Sequence, residues 1–366
     1  MNQPLNQKKS LILGIETSCD ECSASVMDAE TFHVLSLATF SQIQIHRPYG
    51  GVVPEIASRN HLETINPMME EARAQAGIQW SDISAVAVTN RPGLVGALLV
   101  GVSAAKAFSY ARDLPLIPVH HLEGHALSPW LDQTDATRPG AKPGSYPMLI
   151  AIVSGGHTNL YVAKEPPENW PVDFLQSSCV GRSRDDAAGE AFDKTAKILG
   201  FPYPGGRWID QTARGGNPKA FDLPRGLNQK DSTDFSFSGM KTATLNLVQK
   251  LQKAEELETR LSDVCASIQE AIVDALVTKI FRAVQMNGCK TLALVGGVSA
   301  NSRLRARLDA EWKSAGLAHE PFFPKMKYCT DNAAMIAAAG AVRFKQGHFL
   351  RIPETLSLNA WANPNH

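Results

Sequence analysis

The sequence predicts a two-domain α/β protein, and three observations carry that expectation. Short apolar runs of strand length alternate with helical stretches from Leu11 onward. The same order of elements begins twice, at Leu11 and again at Met148. Between the two copies, residues 132–147 are rich in proline, glycine and polar side chains, which marks a domain boundary and gives domains of about 9–145 and 146–330. A chain of 366 residues is long enough for two domains with a substantial core. With 44% hydrophobic and 20% charged residues it reads as globular rather than disordered.

Formal charge is 36 − 36 = 0. A protein binding nucleic acid alone is normally basic, so such a partner requires a local patch or a second protein. The first ten residues are polar and lack the apolar core of a signal peptide, and no apolar run reaches spanning length. The six cysteines are scattered, which fits reduced thiols. These features predict a cytoplasmic protein with no membrane partner. Cys19 and Cys22 have CxxC spacing but no second pair, and are read as a coincidence at a strand edge.

In order, strands are expected at 11–15, 22–27 and 33–40, the first two joined by the polar turn Glu16-Thr17-Ser18-Cys19-Asp20-Glu21. A strand, a small polar turn and a strand open nucleotide-binding folds of the actin and sugar-kinase type, where the turn's amides face phosphate. An ordered loop, 46–54, ends at Pro54, which suits the first turn of a helix over 55–76 that Pro67 kinks or restarts. After a strand at 83–89, Pro92-Gly93-Leu94-Val95-Gly96 opens a helix of small residues, 97–111, that must pack closely. The strand 116–120 runs into His121. The second copy has a strand at 148–153, the turn Ser154-Gly155-Gly156-His157, and strands at 158–162 and 173–179. Duplication predicts a ligand cleft between the copies. A helix capped by aspartate starts at Asp185-Asp186 and ends near Gly200; Pro204-Gly205-Gly206 is a turn; 217–234 is a mobile excursion. Then come a helix over 257–285, a strand at 291–295, a helix carrying Arg303, Arg305 and Arg307, and a final alanine-rich helix capped by 327–332. The tail beyond Leu350 is irregular.

The chemistry centres on His121-Leu122-Glu123-Gly124-His125. Two imidazoles four positions apart share one helix face and make half of a metal site. Glu123 points about 200° around the helix from His121, so it is not the base of a zinc protease. A third ligand is required. Asp331, at the start of the last helix, is the best candidate; Asp20, Asp185 and Asp186 are rivals, and helix capping is the plain alternative for Asp331. The turns at 154–157, 205–206 and 296–297 let backbone amides approach an anion or a nucleotide. There is no Walker A or GxGxxG loop, which excludes P-loop and Rossmann readings.

Gly14-Ile15-Glu16-Thr17-Ser18-Cys19-Asp20-Glu21, residues 49–55, the His121/His125 pair, Ser154-Gly155-Gly156-His157, residues 185–194, Phe235-Ser236-Phe237-Ser238-Gly239 and residues 328–332 together resemble the tRNA N6-adenosine threonylcarbamoyltransferase family, bacterial TsaD type. The resemblance runs in order over about 11–347. It implies an actin-like, sugar-kinase-like fold of two duplicated RNase H-like domains with a cleft between them. It implies one divalent metal ion, iron or zinc, on His121, His125 and Asp331. It also implies a threonylcarbamoyl-AMP held by Val153, Ser154, Gly155, Gly156, His157, Asp193, Gly206 and Asn301. The implied reaction transfers the threonylcarbamoyl group to the N6 amine of the adenosine next to the anticodon, in tRNAs that read codons starting with A. AMP leaves, and the metal holds the adenylate and offsets charge on its oxygens. The adenylate is already activated, so no side-chain nucleophile is needed; Glu21 or Asp20 is the candidate base for the amine proton. The implied partners are a paralogous TsaB-type subunit and a TsaE-type ATPase. Arg182-Ser183-Arg184, Arg91 and Cys22 depart from the family pattern without removing a proposed ligand. Two rival readings are a nucleotide-binding ATPase or regulatory module of the same fold, which needs no histidine pair, and a zinc deaminase, whose downstream Pro-Cys-x-x-Cys is missing.

Overall fold

The structure is a computed structural model and describes residues 10–132, 145–227, 231–317 and 320–363. It divides into two compact units: Met1–Gln42, Val52–Lys142 and Asp331–His366 form the first, and Ile43–Gly51 and Pro143–Thr330 the second. Most of the expected boundary stretch, 133–144, lies outside the described residues.

In the first unit, strands β1 (Leu11–Glu16), β2 (Glu21–Asp28), β3 (His33–Ser41), β4 (Ile83–Arg91) and β5 (Leu116–His120) form one sheet in the order β3-β2-β1-β4-β5. β1, β2 and β3 run antiparallel, while β4 and β5 run parallel with β1. β1 is buried along its whole length, which is why it reads as an unbroken apolar run. Leu11, Leu13 and Ile15 join the core beneath helices Pro54–Ala76 and Val95–Arg112. The other face meets helix Ala333–Lys345, whose closeness depends on Gly14: a Cβ there would stand 2.3 Å from the carbonyl oxygen of Ala333. Helix Pro54–Ala76 is continuous through Pro67 and is not restarted there. Pro67 is exposed, as is Glu63 one turn earlier, so water can satisfy the carbonyl that loses its partner.

In the second unit, β6 (Met148–Val153), β7 (Thr158–Ala163), β8 (Cys179–Arg182) and β9 (Thr291–Val295) lie in the order β8-β7-β6-β9. β6, β7 and β8 are antiparallel and β9 is parallel to β6, repeating the order and directions of β3-β2-β1-β4. Topology therefore carries the duplication. Helix Leu257–Met286 runs through the core, with Phe235, Phe237 and Trp312 buried in the same cluster.

Three expectations for this unit need correction. Residues 173–178 do not form a strand, and of the expected stretch only Cys179 does, as the first residue of β8. The Asp173 carbonyl accepts from the amides of Gln176 and Ser177, winding the single turn Phe174–Ser177, and Phe174 stacks on Trp170 at 3.9 Å. The edge strand comes afterwards. The helix expected from Asp185 starts at Ala188 and has no side-chain cap, because Asp185 is bonded elsewhere. Helices Gly206–Thr212 and Ser238–Lys253 were not foreseen. The polar stretch 217–234 is tied where described, with Arg225 on Asp274 and the Ser232 carbonyl on Lys279 and Arg282; 228–230 lie outside the described residues. All six cysteines are free thiols, and among the described residues no helix is long and apolar enough to cross a membrane.

Candidate functional site

β5 delivers the histidine pair. It ends at His120, whose Nδ1 accepts from the Leu122 amide and caps the short helix His121–Leu127. His121 and His125 are both buried, with rings edge to face and centroids 4.7 Å apart. Asp331 arrives from the other end of the sequence. Asn332 takes over the cap of helix Ala333–Lys345 by accepting from the Met335 amide. That leaves the Asp331 carboxylate to face the imidazoles, with Oδ1 3.1 Å from His125 Nε2 and 3.5 Å from His121 Nε2. One ligand atom from each residue lies within 4.8 Å of the others. Among the described residues this is the group of His, Cys, Asp and Glu side chains that could hold a metal ion.

Glu16 completes the setting, and sequence reading missed it. It closes β1, is fully buried, accepts from the Thr89 hydroxyl at 2.7 Å and lies 3.0 Å from His121 Nδ1. Ser18 adds its hydroxyl 3.1 Å from the same nitrogen, and its amide donates to Glu16. A carboxylate can only accept, so it keeps the proton on Nδ1, and Nε2, once it gives up its own proton, has its lone pair free for a metal, as a ligand requires. The legible signal was a carboxylate closing a strand buried on both faces, a position that demands a buried partner. Burial pulls the His121 pKa down, but the carboxylates of Asp331 and Glu16 override it and hold it up at about 10. Asp331, which burial would raise, is instead held well below the usual carboxylate range by His121 and His125. Glu16 is likewise lowered against its burial by His121. Without a metal, a proton on His121 offsets part of the negative charge of Asp331 and Glu16; a divalent cation suits the same donors.

The remaining candidates divide between the units. Asp20 is buried in the turn between β1 and β2. Glu21 opens β2 with Oε1 on the Ser41 hydroxyl; burial pushes its pKa up to about 8, with Asp20 and Asp331 adding to the rise. Asp185 and Asp186, rivals for the third ligand, are engaged in the second unit. Asp185 accepts from the Phe237 and Ser238 amides and the hydroxyls of Ser236 and Ser238, tying down the start of helix Ser238–Lys253. Asp186 pairs with Lys194 at 2.7 Å.

The glycine turns of the second unit form one connected group. The Ser154 amide donates to the His157 carbonyl, closing the turn after β6. A Cβ on Gly189 would stand 2.5 Å from the Ser154 carbonyl oxygen, so helix Ala188–Ile198 begins directly against that turn. The same helix carries Asp193, whose Oδ1 accepts from the Gly205 amide at 2.7 Å and fixes the turn leading to Gly206. On the other side Gly296, at φ +89°, passes so close to Val153 that a Cβ would lie 2.5 Å from its carbonyl oxygen. Gly155 and Gly156 are exposed, and a Cβ on either would meet nothing within 4 Å. The Asn301 side chain is engaged with Gln269 and the Leu304 amide.

The arrangement can hold a cation on two imidazoles and a carboxylate, and it presents open backbone at a connected set of turns. A family model described as TsaD, tRNA N6-adenosine threonylcarbamoyltransferase, matches residues 33–338. A protein of Bacillus thuringiensis (strain Al Hakam) named tRNA N6-adenosine threonylcarbamoyltransferase is 46% identical over 360 residues, 98% of each chain. One of the same name from Francisella philomiragia is 45% identical over 335 residues, 91% of this chain and 94% of that one. Among solved structures, the activator of 2-hydroxyisocaproyl-CoA dehydratase from Clostridium difficile, with bound ADPNP, is similar at a TM-score of 0.50 and 13% identity, covering 92% of this chain and 96% of that one. That likeness is one of fold, the actin-like, sugar-kinase-like class, in agreement with the repeated strand order.

Proposed function

The chain belongs to the tRNA N6-adenosine threonylcarbamoyltransferase family, and from that membership we propose how its residues divide the work. The enzyme is a transferase that modifies tRNA, placing a threonylcarbamoyl group on the N6 amine of an adenosine. In our reading the donor is threonylcarbamoyl-AMP and the acceptor is the adenosine next to the anticodon in tRNAs that read codons starting with A. The amine nitrogen bonds to the carbamoyl carbon, the bond from that carbon to the phosphate oxygen breaks, and AMP departs.

The observation that carries this reading is the convergence of His121, His125 and Asp331, which an ATPase or regulatory module of the same fold would not need. These three would hold one divalent ion, iron or zinc. When bound, such an ion supplies positive charge to offset that building on phosphate or carbonyl oxygen. Glu16 keeps His121 in the ligating tautomer. Of the two candidate bases we favour Glu21, because burial pushes its pKa up to about 8, into the range suited to taking the amine proton near neutral pH. In the second unit, Ser154, Gly155, Gly156 and His157 offer backbone to the adenylate, Asp193 fixes the Gly205-Gly206 turn, and Asn301 lends its remaining amide hydrogen.

The enzyme works in the cytoplasm with a paralogous TsaB-type subunit and a TsaE-type ATPase. A surface for such a subunit lies between helices Pro54–Ala76 and Val95–Arg112, where Leu62, Met69, Leu99 and Phe108 line an apolar groove. The test is nucleoside analysis of tRNA from cells depleted of this protein. Threonylcarbamoyladenosine should disappear, return with the parent gene, and stay absent with Asp331→Ala. Unchanged nucleoside levels would overturn the reading.

A further inference from the structure

The helix bearing the histidine pair meets the last helix across a surface with few landmarks. Gly124 lies against Met335 and Ile336, and a Cβ there would stand 2.8 Å from Ile336 Cδ1. Most of the rest of helix Ala333–Lys345 is alanine, with Gly340 set into it. Such a surface permits close approach and adds little to fixing the helix's sliding or rotational position, toward which the sheet side contributes Gly14 against Ala333, Gly340 against Ala87 and the Ala333 amide donating to the Ser23 hydroxyl. Asp331 depends on that position. A slip of one helical turn, about 5.4 Å, exceeds the 4.8 Å within which the three ligand atoms now fall.

One polar contact breaks the uniformity. Glu123, between the two histidines, carries its carboxylate away from them to Arg343, with Nη2 2.8 Å from Oε1. Both side chains are buried, each 6% exposed. Arg343 also donates to Gln346 at 3.1 Å, and Arg91, the register partner of His120 across β4 and β5, adds a second positive charge near Glu123. Arg343 is near the far end of its helix from Asp331, about 18 Å along the axis. The helix is thus held at both ends: by its ligand-bearing start and by this pair.

A buried ion pair is a poor way to gain stability. Taking two charges out of water is costly, and a well-packed apolar pair often does as well or better. It is a good way to select one arrangement, because any shifted packing leaves a buried charge alone.

We propose that the Glu123–Arg343 ion pair is a positioning element that sets the register of helix Ala333–Lys345 on helix His121–Leu127, and so the place of Asp331 opposite His121 and His125. This rests on the reading of those three residues as a metal site. Neither Glu123 nor Arg343 touches the ligand atoms; both act through the helices that carry them.

The test uses the full chain loaded with zinc, and follows chelator-driven metal release alongside the thermal midpoint of the metal-free protein. Glu123→Gln and Arg343→Met should release metal about tenfold faster than the parent, the scale on which residues supporting metal ligands act. The double variant Glu123→Leu/Arg343→Met should recover the parent's thermal midpoint and still release metal fast, because an apolar pair restores stability without restoring register. If it recovers both, the pair is merely structural and the proposal falls. Should these variants fail to fold, Glu123→Asp and Arg343→Lys keep both charges while altering reach; faster release at an unchanged midpoint supports the proposal, and parent-like release overturns it. A parent chain that holds no metal would remove the metal site itself, an outcome distinct from a parent that holds metal and variants that hold it equally well.

Discussion

His125 Nε2 stands 3.1 Å from Asp331 Oδ1, a contact between residues 206 positions apart that one folded unit brings together. In the metal-free chain His121 shares this cluster with a pKa of about 10, so a proton occupies it at neutral pH. A metal must expel that proton. Binding should release about one proton per ion, and apparent affinity should climb about tenfold per pH unit from neutrality toward pH 10. Calorimetric titration in buffers of different ionisation heat measures the release directly. The stability of the metal-free chain follows by sign. His121 is raised, so its contribution is complete below its ordinary value of 6.5 and is lost as pH rises through about 10. Asp331 is lowered, so its contribution is present above 3.8 and is lost as pH falls through its depressed value. Glu16→Gln removes the acceptor that fixes the tautomer, and should weaken metal binding by about 10–100-fold.

The glycines separate ligand effects from folding effects. A Cβ on Gly156 would meet no protein atom within 4 Å, so Gly156→Val should leave the unfolding transition unchanged while abolishing binding of AMP or an adenylate analogue. Gly205→Val is the converse case: its Cβ would stand 2.2 Å from Ala196 Cβ, and it should cost about 1–3 kcal/mol of stability or more. Denaturant titrations beside nucleotide binding assays decide it. If Gly156→Val binds AMP as the parent does, the open turn is not a nucleotide site.

The alternation of strands and helices was legible because the central strands β1, β6 and β9 are short and apolar, bounded by turn residues. The metal group was legible in part, since His121 and His125 share a helix face whatever the fold does. The role of Glu16 was not, because it depends on Thr89 and His121 arriving beside the end of β1. Local pattern also failed at 173–179, where two amides on the Asp173 carbonyl outweighed an apparent strand, and at Asp185, whose partners lie some fifty residues on at Ser236, Phe237 and Ser238. Long-range hydrogen bonds decided the misses at Glu16 and Asp185, and a local turn decided the one after Asp173.

Glu21 should leave its mark on the pH profile. Its pKa, pushed up to about 8 by burial and by Asp20 and Asp331, means that it is mostly protonated at neutral pH and becomes a base as pH rises. If it accepts the amine proton, kcat/KM should rise with pH and level off above about 8. Glu21→Gln should flatten that limb and lower the plateau by about 10²–10⁴-fold. A profile that keeps its limb in Glu21→Gln would move the role to Asp20.

This chain alone should modify tRNA poorly. Phosphate neutralisation supplies most non-specific RNA affinity, and the formal net charge here is zero. The arginines of helix Ser302–Ser314 do not offer free charge. Arg303 makes a two-pronged pair with Glu270 at 2.6 and 2.8 Å, and Arg307 is shared among Glu270, Asp274 and Glu311. Arg305 donates to the Ser299 carbonyl and lies over the Phe323 ring. Asp309, on the same helix, makes none of these pairs; the neutralisation comes mainly from the long helix Leu257–Met286. Elsewhere Arg184 is bound to Asp234. With these arginines committed internally, the chain needs added basic surface, which partner subunits can supply. Purified chain with preformed threonylcarbamoyl-adenylate and tRNA should therefore show little turnover at physiological salt, and gain activity both on lowering the salt and on adding the partner proteins. Multiple turnovers at physiological salt without them would show that contacts other than these arginines hold the RNA.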